Sequence, residues 1–181
     1  MKLKRLIAVV LIVLALSLQG CVSSVGGLKS FTDSTDGYRF LYPNGWLPVK
    51  VTNGPDVVFH DIIVQTENVS VVINPVPGKK KLEDLGTPSE VGYQLGRSAI
   101  APPDSGRTAE LISAEEREIA DRSYYLLEYL VTLPNQQQRH NVASAIVYRG
   151  KLYTINASTS EERWNRMKDT LMASVKSFQV D

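Results

Sequence analysis

The sequence predicts an α+β domain in which a central antiparallel β-sheet is sandwiched between helices, and three observations carry that expectation. Apolar runs of strand length recur along most of the chain, one helix-start pattern interrupts them, and a second ends the series. A parallel sheet needs a helix between successive strands, and that alternation is missing here. The length of 181 residues suits one domain, and 43% hydrophobic with 22% charged residues is the balance of an ordinary globular chain.

The first element is an address. Lys2, Lys4 and Arg5 precede a mostly apolar run from Leu6 to Leu18. That run falls short of the roughly 20 residues a transmembrane helix needs, so residues 1–20 read as a secretory signal peptide. Leu18, Gln19, Gly20 and Cys21 resemble the bacterial lipobox, in which the chain is cut before a cysteine that then carries lipid, and Cys21 is the only cysteine present. Residues 21–30 accordingly hold the lipidated Cys21 and a Gly/Ser-rich tether, and residues 31–181 the domain. Losing residues 1–20 removes three basic side chains and moves the formal charge from +1 to −2. A mildly acidic domain has no field that would draw in nucleic acid, and its membrane contact is expected through the lipid.

Tyr38, Phe40 and Tyr42 alternate with other residues as a strand does, and Pro43-Asn44-Gly45 is a turn that delivers Trp46 into a second short strand. Residues 56–65 and 68–75 are two further β-rich runs, the second closed by Pro75, and together these strands are expected to form a meander. Thr87-Pro88-Ser89-Glu90 places a capping residue, a proline and an acid where a helix begins. Val91, Leu95 and Ala99 then share a face, while Gly92 and Gly96 weaken the helix unless they permit close packing. Three or four strands are expected over residues 109–158, with Arg149-Gly150-Lys151 as a tight hairpin and Tyr125, Leu127, Tyr129, Val131 and Leu133 on one face of a sheet covered on both sides. Thr159 to Glu162 repeats the capping pattern, and Trp164, Met167, Leu171, Val175 and Phe178 trace a final helical stripe.

No nucleotide-binding loop, zinc-protease pair or nucleophile elbow occurs, and neither His60 nor His140 lies in a nucleophile context, so no enzyme is expected. With one cysteine and two histidines, the candidate metal ligands reduce to His60, Asp61 and His140, which would hold Ca²⁺, Mn²⁺ or Zn²⁺ if their strands bring them together. Asp33 and Asp36 lack the spacing of a calcium loop and read as turn caps. Lys79, Lys80 and Lys81 form the one basic run, and with Arg107 in the loop after the first helix they are candidate contacts for a partner.

GYRFLYPNGW at 37–46, NVSVVINP at 68–75, LEDLGTPSEVG at 82–92, LISAEERE at 111–118, YYLLEYLV at 124–131 and RHNVASAIVYRGKLYTINAS at 139–158 occur in an order that resembles the PsbP family of photosystem II extrinsic proteins, in its cyanobacterial lipoprotein branch. The resemblance implies the same sandwich of sheet and helices, no required cofactor and a monomer. It also implies a lumenal accessory protein on the thylakoid membrane that docks on photosystem II core subunits and aids assembly or stability of the oxygen-evolving complex. The alternative kept open is a lipoprotein that binds divalent metal through His60, Asp61 and His140.

Overall fold

A computed structural model describes residues 27–52, 54–78 and 80–181. The expected signal peptide, the expected lipidation site Cys21, and Lys79 lie outside the described residues. Among those residues the strands form two antiparallel sheets. The smaller has β2 (Tyr38–Pro43) between β1 (Leu28–Asp33) and β10 (Gln179–Val180). The larger joins β3 (Leu47–Val49), β4 (Val57–His60), β5 (Asn68–Pro75), β6 (Thr108–Ile119), β7 (Arg122–Thr132), β8 (Gln138–Tyr148) and β9 (Lys151–Ser160) in the order β3-β4-β5-β9-β8-β7-β6. The long pairs β6/β7 and β8/β9 are closed by two-residue turns at Ala120-Asp121 and Arg149-Gly150, all four residues with positive φ, the turn geometry that matches strand twist.

Alternation along the strands splits the buried side chains into two cores. Phe59, Val69, Ala157, Val142, Leu126 and Tyr124 face α2 (Glu161–Lys176), which contributes Trp164, Leu171 and Val175, and the small sheet adds Tyr38 and Phe40. Leu127, Tyr129, Val131 and Ala143 face α1 (Pro88–Leu95), which contributes Val91. The sheet is thus covered on both sides, as the alternation of β7 implies. At the first helix Thr87 accepts from the Glu90 N–H and Glu90 accepts from the Thr87 N–H at 2.8 Å, so the expected capping box forms. A Cβ on Gly92 would lie 2.9 Å from Leu111 and one on Gly96 3.2 Å from Tyr129, which is why this helix lies so close to the sheet.

Several expectations are corrected. The strand expected over residues 56–65 stops at His60, because Asp61 Oδ1 accepts the N–H groups of Ile63 at 2.8 Å and Val64 at 2.6 Å and turns the chain. The expected meander forms over β3, β4 and β5 but does not include β2, which pairs with β1 and β10 in the other sheet. Leu28 to Ser30, assigned by sequence to the tether, are already strand β1. At α2 the capping box of Thr159 and Glu162 does not form; Ser160 is the N-cap, and the Thr159 hydroxyl is drawn to Glu67 instead. Asp33 caps its turn as expected, accepting from Thr35 and Asp36.

Candidate functional site

One end of the large sheet gathers most of the buried polar chemistry, and it is the end at which β1 enters the domain. His60, Asn68, Ser158 and Asn141 are cross-strand partners in one row, so they share a face. On that face α1 lies over β6 and β7 and leaves β9 and β5 open, giving a recess of about 310 Å³. Its floor is a hydrogen-bonded chain: Arg139 Nη2 donates to Ser158 Oγ at 2.7 Å, Ser158 Oγ donates to Asn141 Oδ1 at 3.0 Å, and Asn141 Nδ2 donates to Asn156 Oδ1 at 3.2 Å. Arg139 Nη2 also donates to the Thr66 carbonyl at 2.5 Å.

Burial pushes the Arg139 guanidinium below its ordinary pKa, the like charge of Arg107 adds to this, and Glu67 opposes it. Arg107 and Arg139 both line the recess, and no carboxylate does. Arg139 is part-buried and Arg107 exposed, and with no carboxylate in the lining the two guanidinium groups make a surface fitted to accept an anionic group.

The opposite face of the same end is built differently. Glu67 is fully buried, and its carboxylate accepts from Thr159 Oγ1 at 2.6 Å, from Arg163 Nε, and from Arg163 Nη2 at 3.2 Å. The pairing with Glu67 raises the Arg163 pKa. Beside it His140 lies flat on Trp164, ring centroids 3.7 Å apart, with Nε2 2.7 Å from Glu128 and Nδ1 2.7 Å from Glu161. The two carboxylates sit on opposite edges of the imidazole and do not converge on a common point.

The expected metal ligands are therefore separated. His60 belongs to the row facing the recess, whereas His140 faces α2 on the other side of the sheet. Three interstrand spacings, about 14 Å, also divide their strands, far beyond the span of one ion's ligand shell. Asp61 is held below the ordinary carboxylate range, chiefly by the Val64 N–H, with help from Ile63 and Arg163, while partial burial pushes the other way. Its oxygen is thus occupied in shaping the turn. Among the described residues no group of three His, Cys, Asp or Glu side chains converges on a metal position.

The expected partner contacts are separated too. Arg107 lines the recess, while Lys80 and Lys81 are exposed beyond the opposite end of β5. The length of β7 and β8 puts those two ends about 30 Å apart. Glu67, Arg139, Asn141, Asn156 and Ser158 were not singled out by sequence reading. The one available signal was polar residues at inward positions of otherwise apolar strands, Asn141 in β8 and Asn156 with Ser158 in β9.

With this geometry in hand, comparison with known proteins is direct. A sequence model of the family described as PsbP matches residues 26–180. The chain is 50% identical to the CyanoP protein of Thermosynechococcus vestitus over 98% of its own length and 99% of the relative's. It is 43% identical to the CyanoP protein of Synechocystis, covering 96% of this chain and 95% of that one. The solution structure of cyanobacterial PsbP from Synechocystis superposes with a TM-score of 0.74 at 41% identity, over 91% of this chain and 99% of the other.

Proposed function

The chain belongs to the PsbP family, and from that premise we propose that it is a lipid-anchored accessory protein on the lumenal face of the thylakoid membrane. It docks on photosystem II core subunits and aids assembly or stability of the oxygen-evolving complex. The observation that carries this reading is the near-full-length likeness to two cyanobacterial relatives, together with a matching solution structure. The protein is not an enzyme; it works by binding. The signal peptide, the lipid on Cys21 and the domain that follows divide the labour: export, confinement to the membrane, and docking.

Two surfaces supply docking contacts. The recess of Arg107 and Arg139 offers paired guanidinium groups to acidic side chains of a lumenal partner, and Lys80 and Lys81 offer a second cationic patch at the other end. Metal carriage has no comparable support, because one ion reaches at most one of His60 and His140. The protein needs no cofactor to dock.

Affinity purification of the tagged protein from detergent-solubilised membranes, followed by mass spectrometry, tests this reading with Cys21→Ala as control. Recovery of photosystem II core subunits, reduced in the control, is expected. Recovery of none from wild-type membranes would overturn the docking function.

A further inference from the structure

The point at which the chain enters the fold decides which end of the domain meets the bilayer. The Gly27 carbonyl accepts the Asn44 N–H at 2.7 Å, and Leu28 pairs with Pro43, so the chain enters beside the turn that leads into β3. Six residue steps separate Gly27 from Cys21. Fully extended they reach about 21 Å, and as a coil they average about 13 Å. The end of the domain at Gly27 therefore cannot leave the neighbourhood of the lipid.

That same end carries an aliphatic tip. Leu47 pairs with His60, so the first residue of β3 lies against the start of the β4–β5 turn. Ile62 and Ile63 follow at the tip, and Leu47, Ile62 and Ile63 are 50%, 55% and 90% exposed. None of the three belongs to either core. Single exposed aliphatics are ordinary, but two on a turn fixed by Asp61 with a third on the strand paired beside it are not a packing remainder. Residues 43 to 49 and 60 to 67 include no Lys or Arg, and the two arginines that reach this turn from elsewhere are engaged there, Arg139 by the Thr66 carbonyl and Arg163 by Glu67, so the aliphatic side chains carry the tip's contact with lipid.

We propose that this tip faces the membrane and that Leu47, Ile62 and Ile63 sink into the boundary between headgroups and acyl chains, seating the domain in one orientation. The proposal rests on the reading of Cys21 as lipidated. The lipid chains suffice to hold the protein on the membrane, and apolar burial beside them adds what they do not supply, a fixed orientation of the domain. The occupant is a lipid surface, because the tether delivers this tip to lipid before any other partner is within reach.

The test uses the full chain, expressed with its signal peptide and purified in its lipidated form, then reconstituted into phosphatidylcholine vesicles. Ile63→Cys is labelled with an environment-sensitive fluorophore, and Lys80→Cys at the opposite end serves as reference. Both positions are exposed, so neither label disturbs the core. On vesicles the Ile63 probe is expected to shift to the blue and to be quenched by quencher-bearing lipids at both low and high salt, while the Lys80 probe stays water-like. A water-like Ile63 probe on protein that floats with the vesicles would overturn the proposal and leave the anchor intact. A blue shift without vesicles that grows with protein concentration would overturn it in favour of contact between copies. Failure to float, with an unmodified Cys21 by mass spectrometry, would overturn the anchor reading and the proposal together.

Discussion

At the scale of single residues, the chemistry concentrates on a few carboxylates with different tasks. Glu67 is buried with Thr159 and Arg163 as its partners, and removing one member of such a group leaves the others desolvated and unpaired. Glu67→Ala is expected to lower stability by about 3 kcal/mol, read by urea denaturation. A loss below 1 kcal/mol would mean that Arg163 swings out to water without cost. Asp61 makes a pH-dependent contribution whose sign follows from its depressed pKa in the fold. The unfolded carboxylate titrates near 3.9, so the stabilisation is complete above about pH 4 and is lost as pH falls through the lower folded value. The stability difference between wild type and Asp61→Asn should therefore be constant from pH 7 to about 5 and shrink below about 4, which denaturation at several pH values would check. His140 is a poor site for a simple alanine test of metal binding. Its removal strips Trp164 of a stacked ring and leaves Glu128 with only a 3.4 Å bond from Ser113, so loss of function and loss of fold would be confounded.

At the scale of elements, α1 packs closely on β6 and β7. Alanine is favoured over glycine inside a helix by about 1 kcal/mol, yet a methyl on Gly92 meets Leu111 at 2.9 Å and the buried Leu127 at 3.2 Å. Overpacking costs about 1 to 3 kcal/mol, so Gly92→Ala is expected to lower the melting temperature by a few degrees. A rise would show that the helix moves off the sheet freely. The two faces of β7, the capping box of the first helix, the Arg149-Gly150 hairpin and the bounds of β5 were legible in the sequence, because each follows from local periodicity or turn chemistry. What was not legible depends on partners distant in the chain. β10 exists only because Gln179 and Val180 pair with Arg39 and Tyr38, and two residues carry no period of their own. Thr159 has the spacing of a capping residue, but a carboxylate 92 positions away claims its hydroxyl. The recess was hidden for the same reason: Asn141, Asn156 and Ser158 look like scattered polar residues until the sheet register sets them side by side. His60 and His140 suggested a pair by residue type alone, and alternation across the sheet puts them on opposite faces.

At the scale of the whole molecule, Gly27, the aliphatic tip and the arginine recess all lie at one end of the large sheet, and Lys80 and Lys81 lie at the other. A domain seated by that tip holds Arg107 and Arg139 close to the membrane surface, at the height where a membrane-embedded complex first emerges into the lumen. The same geometry turns the two lysines away from the bilayer. Charge reversal separates the two contacts: Arg107→Glu is expected to lower recovery of photosystem II subunits several-fold, and a pair of changes, Lys80→Glu with Lys81→Glu, to lower it less. The opposite ranking in quantitative pull-downs would place docking at the distal end. Anchoring enters this balance through concentration and not through contact. Confinement to a layer about 20 Å deep makes the second encounter effectively intramolecular, which raises apparent affinity by about 10² to 10⁴ without any new interaction. Cys21→Ala should therefore release the protein from the membrane fraction and cut recovery of the complex at native abundance by at least about tenfold. Raising the level of the unanchored protein should restore recovery, because its docking surface is intact. If overproduction of Cys21→Ala failed to restore it while the domain remained folded, the lipid would have to hold the domain in an orientation that concentration cannot replace, and the tip residues Leu47, Ile62 and Ile63 would then be the elements that set it.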